Sequence, residues 1–460
     1  MCLIACLTAT VAGAQEAGAI PAGLTGELEG TTETEKAPLP REELEKPEEV
    51  VPEIIIPEQP RLPETTLQVG PITGILAPYG AVPDIAPPTG RLHRLGPLRF
   101  TPFLRYDAVY RTNIYQTYSH KISDFLNLLS PGLRLELPLA GRHAISLSYL
   151  GNYFLYSRQA DNDHYDHNLA LETAWRFPAG MEILGGVFYR RAVEEVTSTT
   201  GRRRPYQRLL PTLQVSHRLA DKWRLQGDYQ FEMYEFADAV DSRNNRRDHN
   251  VGLTLFYKFW PKTALLAQYL LQRRVYPDYS QGNNLSHTPF LGLTWDPTAK
   301  LSGTMKFGYT LKSYDTAVAG RNNSPHSSSL GMELRYRYSR FSQFTLIGQR
   351  AIQEDQDFGN NAYENTAFYL TWHKNWHFFK IDSYLTGSLA FNNYLNAQTD
   401  AAGATKKRQD TLTMVAVGLS RPVTRFLKIR LDYRYINRAS NFSGLSYMDH
   451  WVGLGLQGNI

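Results

Sequence analysis

The chain has 460 residues, 49 Lys and Arg against 44 Asp and Glu, and a formal net charge of +5. That length admits several soluble domains or one large barrel. No stretch is apolar and long enough for a membrane helix, but barrel strands show lipid only every second residue, so this excludes helical spans and leaves a β-barrel open.

Residues 1–14 (MCLIACLTATVAGA) form a short apolar run closing on Ala12-Gly13-Ala14, the small-x-small ending that a signal peptidase cleaves. A signal peptide is therefore expected there. Leu3-Ile4-Ala5-Cys6 is the weaker alternative, a lipoprotein box. Cys2 and Cys6 both lie inside this run. The mature chain is thus expected to carry no thiol, disulfide or cysteine metal site, as suits an oxidising envelope compartment. Residues 15–95 are rich in Pro and Glu (EKPEEVVPEIIIPEQPRLPE). Pro removes backbone donors and like charges repel, so this segment is expected to be disordered and periplasmic, serving as a spacer or as a docking segment near 50–56. Residues 15–66 hold 4 basic and 13 acidic residues, net −9. Since the whole chain is +5, an acidic lead precedes a body of net +14.

From residue 96 to 460 the chain alternates. The clearest stretch is 426–438, F-L-K-I-R-L-D-Y-R-Y-I-N-R. Leu427, Ile429, Leu431, Tyr433 and Tyr435 share one parity, and Lys428, Arg430, Asp432 and Arg434 the other. Period-two alternation is a strand with one apolar and one wet face. The first strand places Phe100, Leu104, Tyr106 and Tyr110 outward and Arg99, Arg105 and Asp107 inward; the next places Leu133, Leu135 and Leu137 outward, with Arg134 and Glu136 inward. Tight turns are expected at 138–142, 178–180, 220–222, 261–262, 297–299, 340–342, 375–376 and 422–424. Longer polar connections are expected at 159–163, 198–204, 238–247, 278–284, 316–325, 355–361 and 396–407. Two long strands per repeat of about 40 residues separate this from a propeller, which has four short ones. The fold class is thus all-β, a transmembrane antiparallel β-barrel of about eighteen strands with both termini on the side of the tight turns.

Six of the seven tryptophans (Trp175, Trp223, Trp260, Trp295, Trp372, Trp376) fall near tight turns. Tyr110, Tyr153, Tyr189, Tyr234, Tyr276, Tyr314, Tyr394 and Tyr435 fall at the other strand ends. Two aromatic belts at the headgroup levels are expected.

Arg105, Arg134, Arg224, Lys306, Lys312, Arg335, Arg337, Lys428, Arg430 and Arg434 are predicted to line the pore, interspersed with Asp228, Glu232, Glu333 and Asp432. Such charges cannot face lipid, so they face water or one another. Two readings stay open: a pore favouring anions, or a ladder of ion pairs that stiffens the wall. Arg202-Arg203-Arg204, Arg246-Arg247 and Lys406-Lys407-Arg408 lie beside long loops, where lipopolysaccharide phosphate is a fitting partner. Residues 161–167 (DNDHYDH) are dense in metal-type ligands but lack the glycine and spacing of an EF-hand loop. No metal, cofactor, nucleic acid or catalytic site is expected, since no glycine-rich phosphate loop and no local Ser, His and acid context appears.

Turns such as LADKW (219–223), WDPTAK (295–300) and RPVTRF (421–426), within this repeated basic hairpin, resemble those of the β-barrel porin families of Gram-negative outer membranes, closest to those associated with exopolysaccharide export. The resemblance covers about residues 98–460. It implies a bacterial outer-membrane location, contact with outer-membrane lipid and lipopolysaccharide, the barrel-assembly machinery and polysaccharide-export components as partners, and a channel for small or polymeric anionic solutes such as exopolysaccharide. The alternative is a structural or glycan-binding barrel with a plugged lumen. Such barrels usually end on an aromatic residue, whereas this sequence reads Gly458-Asn459-Ile460.

Overall fold

The computed structural model describes residues 93–139, 143–196, 201–296, 299–355 and 361–459. The signal-peptide reading and all but the last three residues of the acidic segment lie outside the described residues, as do turn residues 140–142 and 297–298 and loop residues 197–200 and 356–360.

One antiparallel sheet holds all the strands of the described residues. β1 (His93–Leu95) folds back on β2 (Leu98–Arg111) through a turn at Gly96, φ +61°. Strand structure therefore begins three residues inside the segment expected to be disordered. The hairpins then follow with short connections: β3 (Asp124–Leu139) with β4 (His143–Tyr156), β5 (His164–Arg176) with β6 (Met181–Glu194), β7 (Arg204–Ala220) with β8 (Trp223–Phe236), and β9 (Arg246–Trp260) with β10 (Thr263–Val275). The second half repeats the scheme: β11 (Asn284–Trp295) with β12 (Leu301–Tyr314), β13 (His326–Ser339) with β14 (Ser342–Asp355), β15 (Asn361–Trp376) with β16 (Ile381–Thr399), and β17 (Thr405–Pro422) with β18 (Leu427–Ser440). β19 (Tyr447–Asn459) pairs with β18 and returns to β2, from Trp451↔Arg111 to Asn459↔Phe103. Leaving aside β1, eighteen strands close into a ring. Gly458-Asn459 is thus part of a well-paired closing strand despite lacking an aromatic end.

The ring exists because of the alternation. Leu431, Leu454 and Leu291 are 50, 54 and 71% exposed, while Asp107 and Gln226, of the opposite parity, are 1% exposed. An apolar outer surface of this extent is stable only in lipid, where closure satisfies every strand's backbone donors and acceptors. The short connections lie together at what we call the turn end, and among the described residues they fall at the expected positions except one: the turn expected at 375–376 lies at 377–380, because β15 runs on through Trp376 before His377–Phe379 form a 3-10 turn closed by the left-handed Lys380. At the loop end, the seven long connections are joined by 112–123 and 441–446.

One connection is shorter than expected. β16 and β17 run on through most of 396–407 and leave only 400–404 as a loop. The Asp400 carboxylate accepts hydrogen bonds from the Ala402 and Ala404 N–H groups, both at 2.9 Å, and pairs with Lys406 at 3.0 Å. Gly403 supplies the left-handed φ of +82°. This compact cap lets a polar hairpin extend beyond the barrel.

The tryptophan belt is present at the turn end. Trp223, Trp260 and Trp376 are exposed, and the indole N–H groups of Trp372 and Trp376 donate to Ser342 (2.9 Å) and Ser383 (2.8 Å). The tyrosine belt is corrected in half its members, while Tyr110, Tyr153, Tyr189 and Tyr435 keep the outward face. Tyr234, Tyr276, Tyr314 and Tyr394 are buried; the phenols of Tyr234 and Tyr314 donate to Glu194 and Glu354, because those buried carboxylates need donors more than the interface needs rings.

Closure predicts heat modifiability: unheated protein in SDS should migrate apart from boiled protein, and equal migration with helix-rich circular dichroism would contradict the barrel. The two faces predict opposite sensitivities. Leu431→Arg puts a cation on the outer face at a cost of about 2–4 kcal/mol near the midplane, so the yield of membrane-inserted protein should fall; Lys428→Gln, on the inner face, should leave it unchanged.

Candidate functional site

The lumen is the candidate site, and its two halves differ. Toward the loop end nearly every inward cation meets a carboxylate, and both are buried. Arg190 pairs with Asp166 (2.9 Å), Arg204 with Glu194 (2.6 Å), Arg208 with Glu232 (2.8 Å) and Arg274 with Asp248 (2.6 Å). Arg246 lies between Glu232 (3.5 Å) and Asp248 (3.6 Å) and links the last two pairs. Farther round, Asp410 takes Arg408 (2.7 Å) and Arg438 (2.8 Å), and Arg111 takes Asp449 (3.1 Å) and Glu195 (2.9 Å). Full charges survive burial only when paired. Deleting one member of such a pair costs about 3–5 kcal/mol, because its partner is left uncompensated. The sequence's second reading, a ladder of ion pairs, describes this half.

The same half holds an apolar wall. Val109, Leu126, Leu128, Phe154, Met414, Ile436 and Trp451 form a buried cluster on the inner face of β17–β19 and β2–β4, with Ile114 of the β2–β3 connection packed into it. Trp451, the one tryptophan remote from a turn, sits here; its indole donates to Asp449 (2.6 Å) and its ring lies 4.0 Å beneath the Arg111 guanidinium.

The end of the β14–β15 hairpin leaves the wall. β13 pairs with β14 only as far as Leu330↔Arg350. Beyond that point Ala351–Asp355 pair with β15 alone among the described residues. Glu354, Ile352 and Glu364 have outward parity, yet Glu354 is 4% and Ile352 8% exposed. Glu354 binds Lys312 and accepts from Tyr314 (2.8 Å) and Asn284 (3.5 Å), and Glu364 accepts from Ser327. Those four partners lie on the inner face of β11–β13. The hairpin end is therefore folded into the lumen with its nominal lipid face against the inner wall. Its other face presents Asp355 to Arg408 at 3.9 Å. Over the gap this leaves, the β12–β13 loop meets the β16–β17 hairpin, Asn322 N–H donating to Asn396 Oδ1 at 2.8 Å.

Toward the turn end the lining is looser. Of the ten predicted residues, six meet acids: Arg105–Asp107 (2.8 Å), Arg134–Glu136 (2.7 Å), Arg335–Glu333 (3.4 Å), Lys428–Asp382 (3.7 Å), Arg430–Asp432 (2.9 Å) and, higher up, Lys312–Glu354. Three lie over inner-face aromatic rings: Arg224 over Phe256 (4.1 Å), Lys306 over Phe290 (4.8 Å) and Arg434 over Trp451 (5.4 Å). Arg337 is exposed at the turn end of β13. Arg105, Arg335, Lys428 and Arg430 retain access, at 13, 19, 31 and 22% exposure.

Alternation splits the basic clusters that the sequence grouped. Arg204, Arg246 and Arg408 are buried in the ladder; Arg247 and Lys407 belong to the opposite parity. Arg202 pairs with Asp241 at 2.6 Å. The metal-type residues of 161–167 also diverge: Asp163 accepts from the Tyr156 N–H (2.7 Å), Asp166 faces Arg190, and His167 faces Tyr149 outside. Among the described residues, no three His, Cys, Asp or Glu converge as metal ligands.

Sequence reasoning missed the infolded hairpin, though a signal was there. In 351–364 acids occupy both parities (Glu354 beside Asp355, then Glu364), so two of the three would face lipid if the hairpin stayed in the wall.

No curated protein matches the chain. Similar solved structures include the outer membrane protein OpdK of Pseudomonas aeruginosa, at 12% identity over 78% of this chain and 99% of that one, TM-score 0.42. They also include OccAB4 of Acinetobacter baumannii (10%, 81% and 100%, TM-score 0.43) and a bacterial polysaccharide outer membrane secretin (9%, 78% and 98%, TM-score 0.32). The assignment rests instead on sequence. Residues 88–459 match a single family model from before β1 to the end of β19, and the chain therefore belongs to that family, described as "Putative beta-barrel porin 2".

Proposed function

We propose that this porin-family barrel is a passive outer-membrane channel that favours anionic solutes and is narrowed by the β14–β15 hairpin. Residues 1–14 act as the signal peptide, the turn end faces the periplasm and the loop end faces outside. The observation that carries the reading is the asymmetry of the lumen: a charge-balanced, packed loop end above a partly accessible turn end rich in Arg and Lys. In a narrow pore such fields add and are screened less than on an open surface. Small anions suit the vestibule directly. An acidic polysaccharide chain suits its charge as well, and its passage requires the hairpin to swing aside, which makes export components and the acidic segment 15–95 the natural partners. The proposal includes no catalytic step.

The packed loop end favours a second reading, a structural barrel with a closed lumen. Single-channel recording of purified protein in planar bilayers separates the two: discrete conductance supports the channel, and its absence at all voltages supports the closed barrel.

Under a KCl gradient the reversal potential should show anion preference that weakens as salt rises. Replacing Arg335, Arg337, Arg430 and Arg434 with Gln removes four cations and leaves Glu333 and Asp432 uncompensated, so the preference should fall or reverse. A cation preference in the native protein would overturn the anionic-solute reading.

The hairpin gives a separate outcome. Replacing residues 353–363 with a short Gly-Ser turn should raise single-channel conductance severalfold while heat modifiability persists. Unchanged conductance would show that the constriction lies elsewhere.

A further inference from the structure

The outer face carries a repeat that the channel reading does not use. In four hairpins a tyrosine hydroxyl meets histidine Nδ1 across the strand pair: Tyr149 with His167 (2.9 Å), Tyr229 with His249 (3.0 Å), Tyr269 with His287 (2.6 Å) and Tyr433 with His450 (3.0 Å). In a fifth, the rings of Tyr309 and His326 lie 6.0 Å apart. The register is the same each time, with the histidine opposite the residue two beyond the tyrosine: Gly151, Phe231, Leu271, Tyr435 and Leu311.

The depth is the same in the first four. There each of these positions is three residues short of the residue that closes its hairpin at the loop end, Phe154, Tyr234, Arg274 and Arg438, whereas Leu311↔His326 is itself the last pair of its ladder. Four of the chain's 12 histidines thus stand at one level around the barrel, with His326 nearer the loop end, on the face whose neighbours are exposed apolar side chains. In a sixth hairpin Tyr106 donates to Asn127 Oδ1 (2.7 Å) in the same diagonal.

Chance placement does not give one diagonal in five hairpins and one depth in four of them. A packing role does not need imidazole, because Phe or Leu would fill the space. The level is the boundary where phenol rings prefer the headgroup region. With the phenol donating to Nδ1, the single ring proton sits on Nε2, which is then a donor at a half-exposed ring. Exposed Arg191 shares the level, opposite Gln207, and exposed Arg247 lies two residues above His249. The nearby carboxylates are engaged: Glu235 accepts from Gln207 (3.1 Å), and Asp315, whose carboxyl the Arg273 guanidinium holds below its ordinary range, pairs with Arg273 (2.5 Å). The band is therefore donor-rich and acceptor-poor, complementary to lipid phosphate.

We propose that the Tyr–His pairs form a belt whose imidazole Nε2–H groups bind the phosphates of the lipid leaflet at the loop end, the lipid A phosphates when that end faces outside. The identity of the leaflet rests on the orientation given under Proposed function; the binding itself does not. Phosphatidylcholine vesicles carrying lipid A on both faces therefore test it without assuming orientation or conductance.

The probe is the midpoint of the heat-modifiability transition in vesicles containing lipid A, against the same vesicles with dephosphorylated lipid A of identical acyl chains. The native barrel should melt several degrees higher with the phosphates present. H167F/H249F/H287F/H326F/H450F keeps the rings and removes the donors, so more than half of that difference should vanish. If this variant fails to insert, the five-fold Gln variant, which keeps a neutral donor, should insert and retain most of the difference. An unchanged phosphate effect in the Phe variant overturns the proposal, as does loss of the effect in R191Q/R247Q alone, which would place the phosphate on the arginines.

Discussion

The hydrogen bonding of β19 back to β2 is the constraint on which the rest depends. In lipid an unpaired strand edge leaves a row of donors and acceptors with nothing to bind, so the sheet either closes or does not insert. Closure turns a local property, alternation, into a global one. Residues of one parity meet lipid and residues of the other meet the lumen all the way round, except where the end of the β14–β15 hairpin leaves the wall. Leu431 and Asp432 are neighbours in sequence and occupy different solvents.

Once the wall is closed, charge follows. Arg and Lys excluded from the outer face collect inside, and at the loop end they lack enough water to stand alone. Carboxylates on adjacent strands come within hydrogen-bond distance of them, as Glu194 does of Arg204, and strands two apart contribute as well, Tyr234 to Glu194 and Lys312 and Tyr314 to Glu354. The ladder is thus a consequence of burial as much as a stabilising device. The infolded hairpin obeys the same rule in reverse. Glu354 and Glu364 have the parity of the lipid face, where a carboxylate cannot remain, and bending the hairpin into the lumen gives both of them donors.

Much of the site was legible from residues alone. Parity places Arg105, Arg134, Arg335, Lys428 and Arg430 on the inner face, and each of them has an acid within 4 Å there. Less legible was the difference between the two ends of the lumen. Alternation reports which face a residue occupies but not how close the opposite wall stands, so Lys312 and Lys428 look alike in sequence. One is sealed against Glu354, and the other remains open beside Asp382. The tyrosines show the same limit. A tyrosine at a strand end was assigned to the interface, but Tyr276 and Tyr394 have inward parity and went to the lumen.

The sequence by itself determined the strands, their faces, the tight turns and the count of hairpins, because a period of two and the turn chemistry of Gly, Pro, Asn and Asp act between neighbours in the chain. It also determined that the inner face is charged. Only the tertiary structure decided which charges pair, that the β14–β15 hairpin enters the lumen, and that four histidines share one level outside. Those outcomes depend on distances between strands that closure sets, and on the cost of leaving a charge without water or a partner, which is defined only when the whole wall is in place.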